Sequence, residues 1–293
     1  MKSYFNAKSL LRKILIERFK PVIKAEVPVL SSSELLKGRM ALITGGSSGI
    51  GFSIAKSFLT AGGGVIITGR NKEKLDKALK ELGNEDRVFG FVMDNSTVGL
   101  FEESLKEILV TISTKDFKKI DILVNNAGVN SFGMPKATEL DYDKVMDTNL
   151  KGTYFLSQTF ASYMVRNGIK GNILNIASAS CLRPADSPYI LSKWGIRSLT
   201  LGMAKSLGKY GITVNGIAPG PTATPMMQIS SNSDIALSRL PLGRFILPEE
   251  IANMAVVLVS NMGRSIMGDM VMMTGGAGNL TFDDVPYNFE INQ

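Results

Sequence analysis

Thr44-Gly45-Gly46-Ser47-Ser48-Gly49-Ile50-Gly51 joins an apolar run at 40–44 to a stretch at 49–61 that reads as a helix. Glycines in such a junction let the backbone turn sharply and approach a ligand closely. The helix that follows presents free N–H groups and the positive end of its dipole. A strand, a glycine turn and a helix in that order form a pyrophosphate cradle.

The text on either side repeats the alternation. Short apolar runs at 65–68, 88–93, 122–124, 172–176, 213–217 and 270–273 read as strands. Helical patterns lie between them at 71–82, 100–111, 141–149, 150–166, 188–209 and 248–260, the first of these capped by Asn71. The strands lack period-2 alternation, as expected where both faces are covered. Strand and helix in turn predict an α/β fold: one doubly wound parallel sheet of about seven strands, Rossmann-type, with helices on both faces. No repeat or composition break follows Gly38, so 38–293 reads as one domain.

Residues 1–37 differ. Tyr4, Ala7, Leu11, Leu15 and Phe19 recur at helical spacing among basic residues until Pro21, and an extended arm follows to Ser33. Residues 1–25 carry +6 of the chain's net +7, which leaves the body at +1. A nucleic-acid-binding body is therefore not expected. The basic amphipathic segment reads either as an arm packed on the body or a neighbouring subunit, or as a peripheral contact of residues 1–20 with an anionic membrane surface. Arg12, Lys13, Glu17 and Arg18 interrupt its apolar positions, unlike a secretory signal. A cytoplasmic protein is the expectation.

Composition narrows the chemistry. The 293 residues are 44% hydrophobic and 20% charged, a globular balance. Apolar runs fall well short of the ~18 residues a spanning helix needs. There is one cysteine and no histidine. Disulfide frameworks, multi-cysteine metal sites, the Ser-His-Asp triad and HExxH zinc sites are excluded, and no metal is expected. Acid–base work falls to Tyr, Lys, Ser, Asp or Glu.

The order Thr-Gly-x-x-x-Gly-x-Gly resembles the short-chain dehydrogenase/reductase family, in its branch close to 3-oxoacyl carrier-protein reductases. Asn125-Asn126-Ala127-Gly128 after the fourth strand, and Pro219-Gly220 with Thr224 after the sixth, are similar to later motifs of that family. So are Pro241-Leu242-Gly243-Arg244 and Pro248-Glu249-Glu250-Ile251. The resemblance spans 38–280. It implies an NADP- or NAD-dependent oxidoreductase acting on a small carbonyl or alcohol, and a homodimer or homotetramer built through the helices at 150–166 and 188–209. The cofactor-binding residues it implies are Gly45, Ser47, Ser48, Gly49, Ile50, Gly51, Asn126, Ala127, Gly128, Pro219, Gly220, Thr222 and Thr224, together with Arg70, Asp94, Tyr189 and Lys193.

The family's active pair is Tyr-x-x-x-Lys, and the chain holds it twice: Tyr4…Lys8 and Tyr189…Lys193. The first pair precedes the first strand. The second opens the helix after the fifth strand, on the side where open α/β sheets bind ligands. The i,i+4 spacing puts Tyr189 and Lys193 on one face, where an ammonium is expected to lower the phenol toward a useful acid–base range. By resemblance Lys193 also holds the nicotinamide ribose. Ser178 is expected to bond the substrate oxygen, with Ser180 its competitor; it precedes Tyr189 by 11 residues, where the family usually has about thirteen. Asn149 matches the asparagine that holds a relay water behind the lysine, or else marks a helix kink.

Cofactor choice is read at the end of the second strand. Ile67-Thr68-Gly69-Arg70-Asn71 has no acid for a ribose 2′-hydroxyl, and Arg70 suits a 2′-phosphate, which favours NADP. Ser48 stands where NADP-preferring relatives often have a basic residue. Asp94 resembles the residue that contacts adenine, or is a turn aspartate. NAD-dependent polyol or sugar dehydrogenases, and a non-catalytic surface-binding protein, are the alternatives. Substrate contacts are expected from 131–136, 182–187 and 221–244, the last with Met226, Met227, Ile229, Ile235 and Leu237 as apolar lining or ordinary packing. Arg183 reads either as an anion contact or as a solvated loop residue.

Overall fold

The computed structural model describes residues 32–278 apart from 85, 116, 228–234 and 239. The basic helix expected over 4–19, the arm as far as residue 31, the Tyr4…Lys8 pair and Ile229 lie outside the described residues.

The elements run β1 (Met40–Thr44), α1 (Gly49–Thr60), β2 (Gly64–Gly69), α2 (Lys72–Leu82), β3 (Val88–Val92), α3 (Phe101–Ser113), β4 (Ile122–Asn125), α4 (Glu139–Val145), α5 (Gly152–Arg166), β5 (Asn172–Ile176), α6 (Pro188–Leu207), β6 (Thr213–Pro219), α7 (Pro248–Val259) and β7 (Met270–Met273). The seven strands form one parallel sheet in the order β3-β2-β1-β4-β5-β6-β7. The order reverses between β1 and β4, and that gap between strand ends is the topological switch point.

Successive strand side chains point to opposite faces, so β1 feeds two cores. Ala41 and Ile43 pack with Ile54 and Phe58 of α1, Leu75 of α2 and Ile251 of α7. Met40 and Leu42 pack with Phe101 and Ile108 of α3, Phe160 of α5 and Leu207 of α6. Phe58 and Phe160 are almost wholly buried; truncating either to alanine should cost about 3–5 kcal/mol. Leu36, ahead of β1, is buried in the first core, and its N–H donates to the Ala61 carbonyl at 2.8 Å. Arg39 ties the opposite end of the sheet together. It donates to Asp121 at 2.8 Å, to Asn172 at 2.7 Å and to the Val259 carbonyl.

One expected element differs. The helices anticipated at 141–149 and 150–166 are a continuous run in which a π-helical segment, Met146–Lys151, separates α4 from α5. Asn95, from the turn after β3, is the cause. Its Nδ2 donates to the Thr148 carbonyl at 2.7 Å, the acceptor an α-helix would offer to Gly152. A Cβ on Gly152 would lie 1.9 Å from the Asn95 carbonyl oxygen, so only glycine admits this insertion.

Candidate active site

The glycine turn is built by sterics. Gly45 and Gly49 have φ of +63° and +54°, the left-handed region that favours glycine. A Cβ on Gly51 would sit 2.5 Å from both the Gly45 carbonyl oxygen and Asn126 Nδ2. Asn126 Nδ2 donates to the carbonyls of Thr44 at 2.9 Å and Gly45 at 3.1 Å. The N–H groups of Asn126 and Ala127 both donate to Thr44 Oγ1 at 3.0 Å. The turn after β1 and the loop after β4 are thus stitched together across the switch point. Ser48 is extended at the N-cap of α1 but makes no side-chain cap bond, which leaves the helix's first N–H groups free of a side-chain acceptor.

A cleft of about 660 Å³ opens over this turn. At its β2 and β3 end stand Arg70, Lys74, Asp94 and Asn95. Asn71 Oδ1 accepts from the Lys74 N–H at 2.7 Å, which caps α2. Asp94 Oδ1 accepts from the N–H of Ser96 at 2.9 Å and its hydroxyl at 2.7 Å. Burial alone would raise the Asp94 carboxyl; the Ser96 bonds and the charge of Arg70 outweigh it and hold the group below its ordinary value. Asn95 Oδ1 is buried with no hydrogen-bond partner among the described residues.

At the other end, Ser178, Tyr189 and Lys193 share the wall. Ser187 caps α6 and Pro188 follows at its first turn, so Tyr189 opens the helix. Lys193 is buried, its Nζ donating to the Ile176 carbonyl at 2.9 Å and lying 5.6 Å from the Tyr189 ring centroid. Desolvation pushes the ammonium down to about 8. The phenol does not follow the expected direction. Burial raises Tyr189, and a hydrogen bond from Ser178 opposes that rise only in part. With Lys193 donating to Ile176 and Tyr189 desolvated, withdrawal from water outweighs the expected help of the ammonium. The short segment between Ser178 and Tyr189 winds as a 3-10 turn, Ala179–Leu182, whose Ser180 N–H donates to Ser178 Oγ at 3.1 Å. Ser178 and Ser180 both line the cleft beside Tyr189.

Asn149 and Gly51 stand apart from the other expected residues: they lie behind the cleft wall. Asn149 is buried on the π segment, accepting from the Val129 N–H at 2.8 Å and donating to the Val129 carbonyl at 2.9 Å. Gly45, Ser47, Ser48, Gly49, Ile50, Ala127, Gly128, Pro219, Gly220, Thr222 and Thr224 all line the cleft. A Cβ on Gly49 would touch the Thr224 methyl at 3.4 Å, which places the β6 loop over the glycine turn. Lys74, Asn95 and Asn130 also line it and were not foreseen as contacts. The Asn71 cap after β2 could have found Lys74, because it places that residue in the first turn of α2. Nothing local to Asn95 signals its position.

The family model for short chain dehydrogenases matches residues 39–234. The chain belongs to the short-chain dehydrogenase family. It is 34% identical to gluconate 5-dehydrogenase of Gluconobacter oxydans over 82% of this chain and 95% of that protein. It is equally 34% identical to the 3-oxoacyl-[acyl-carrier-protein] reductase of Thermotoga maritima, over 82% and 98%. A crystal structure of a short chain dehydrogenase from Burkholderia cenocepacia in complex with NADP superposes with a TM-score of 0.72 at 29% identity, covering 82% of this chain and 98% of that one. This dehydrogenase is therefore an oxidoreductase of CH–OH and carbonyl groups that uses a nicotinamide cofactor. The residues present fit such a group: Gly45 and Gly49 in left-handed backbone on the cleft wall, an α1 terminus without a side-chain cap, and the cations Arg70 and Lys74 at the β2 end. Among the described residues no helix is long and apolar enough to cross a membrane.

Proposed function

We propose that this dehydrogenase is NADP-dependent and interconverts a ketone and a secondary alcohol, with Tyr189 exchanging the proton at the substrate oxygen. The convergence of Ser178, Tyr189 and Lys193 on one cleft wall carries the reading. Bound nicotinamide supplies or accepts the hydride. Tyr189, its phenol raised by burial, is held protonated and is suited to donate to a carbonyl oxygen. The Ser178 hydroxyl, on the same cleft wall, stabilises charge developing on that oxygen. Lys193 keeps a cation beside the ring and favours the phenolate once the proton has left. Asn149 holds Val129 and the α6 backbone in register behind them.

The 2′-phosphate preference is supported by two cations, Arg70 and Lys74, where β2 ends without an acid. The 3-oxoacyl reductase likeness supports a reductase of keto compounds. The gluconate 5-dehydrogenase likeness favours a second reading, NAD- or NADP-dependent oxidation of a polyol acid. Homo-oligomerisation is supported by the half-exposed Tyr154 and Phe155 on α5 and Leu191 and Trp194 on α6. A cytoplasmic setting and a membrane contact by residues 1–20 are separate proposals; flotation on anionic vesicles with and without residues 1–30 tests the latter.

Fluorescence titration with NADPH and NADH is the first experiment. Tight NADPH and weak NADH support the reading, and a ketone panel follows. NADH preference moves the assignment to polyols and sugars, and binding of neither overturns it.

A further inference from the structure

The charges on the cleft wall divide into two groups. Arg70, Lys74 and Asp94 stand at the β2 and β3 end. Lys193 is buried beneath Tyr189 and donates to Ile176. Arg183 is the remaining charged residue of the described wall, on the same β5–α6 segment as Ser178 and Tyr189. Among the described residues it has no acidic partner.

Its backbone is held on both sides. Pro184 follows it and restricts it to extended conformations, and its φ and ψ are −96° and 150°. Its N–H donates to the Ser180 carbonyl at 3.2 Å, and its carbonyl accepts from the Trp194 indole at 2.7 Å. Arg197 stacks 5.6 Å from the Trp194 ring and donates to the Cys181 carbonyl at 3.4 Å, adding a second positive charge behind the same turn. The backbone is thus fixed at the cleft wall, and the exposed guanidinium, without an ion pair among the described residues, is open to an anionic ligand. The guanidinium fork matches carboxylate and phosphate oxygens in pairs.

We propose that Arg183 is an anion-reading residue of the substrate pocket, so that the substrate is a ketone or secondary alcohol bearing a carboxylate or a phosphate. The proposal rests on the reductase reading of the cleft and adds the chemical class of its substrate. Neutral ketones lack the group that Arg183 would bind and should bind more weakly.

Trp194, the chain's single tryptophan, is bonded to Arg183 and reports the site directly. With saturating NADP+ or NAD+ present, its fluorescence is titrated with 4-oxopentanoate against methyl 4-oxopentanoate. The second pair is dihydroxyacetone phosphate against dihydroxyacetone. Turnover of all four is followed separately, with NADPH or NADH as the hydride donor, by loss of nicotinamide absorbance. The anionic member of one pair should bind about tenfold tighter than its neutral partner, and the pair that shows this identifies carboxylate or phosphate. In Arg183→Gln the ratio should fall to near one, and Arg183→Lys should retain part of it. Equal binding within both pairs, or a preference that survives Arg183→Gln, overturns the proposal even if turnover is seen. Anion preference with no turnover upholds Arg183 and instead overturns the reductase reading.

Discussion

Asn149 Nδ2 donates to Ser192 Oγ at 3.2 Å, and that hydroxyl donates in turn to the Tyr189 carbonyl at 2.7 Å. The π segment is thereby joined to the first turn of α6 through a fully buried serine. Tyr189 should supply the proton and the pair behind it should set its position. Tyr189→Phe should lower kcat on the order of 10²- to 10⁴-fold while cofactor affinity is retained. Ser192→Ala should lower kcat severalfold and leave the cofactor dissociation constant unchanged. Stopped-flow turnover and fluorescence titration measure both, and full activity in Tyr189→Phe would remove that residue from the chemistry.

Arg70 and Lys74 share the cleft's β2 end, so their loss should be felt at the 2′-phosphate alone. Arg70→Ala should weaken NADPH about tenfold or more, Lys74→Ala should weaken it less, and NADH should change little in either. Calorimetric titration of both cofactors against both variants tests this. Equal losses for NADPH and NADH would place the two cations elsewhere on the cofactor.

Lys193 gives a signed pH dependence. Burial lowers its folded value to about 8 from 10.5, so the unfolded chain binds more protons between those values. Stability should rise with pH through that window. At neutral pH the buried charge costs about 3 kcal/mol at ~1.4 kcal/mol per unit. Melting temperatures followed between about pH 7.5 and 9 should climb in the parent relative to Lys193→Met, which has no such proton to lose. Parallel curves would show that the ammonium is not desolvated in the folded protein.

Arg244 and Glu250 clamp the long β6–α7 connection onto α7 with bonds of 2.8 and 2.9 Å, and the Leu247 N–H donates to the same carboxylate at 2.8 Å. The bond from Arg244 is the main reason Glu250 falls from 4.5 to about 2. A depressed carboxyl stabilises the fold above its unfolded value, and that contribution is lost as pH falls from 4.5 through about 2. Both side chains are about one-third exposed, so solvent screens the pair and Glu250→Gln should cost only about 1 kcal/mol at neutral pH. Urea melts at pH 7 and pH 3 should show the variant's deficit shrinking in acid. A deficit that stays constant would assign it to packing.

Much of the architecture is written in local pattern. Unbroken apolar runs and intervening helical periods required a parallel sheet covered on both faces. The glycines at 45, 49 and 51 required a turn that other residues do not tolerate. The i,i+4 spacing of Tyr189 and Lys193 placed both on one helix face. These depend on near neighbours in the chain. What the tertiary structure decided depends on contacts far apart in sequence. Asn95 opens the π segment and so turns Asn149 toward Val129 instead of the cleft. The 3-10 turn folds the short segment between Ser178 and Tyr189 so that both line one cleft. Burial raises the phenol that the neighbouring ammonium alone would lower. Side-chain spacing in sequence fixes which groups can meet along one element, whereas desolvation and insertion between elements arise only when the chain has closed on itself.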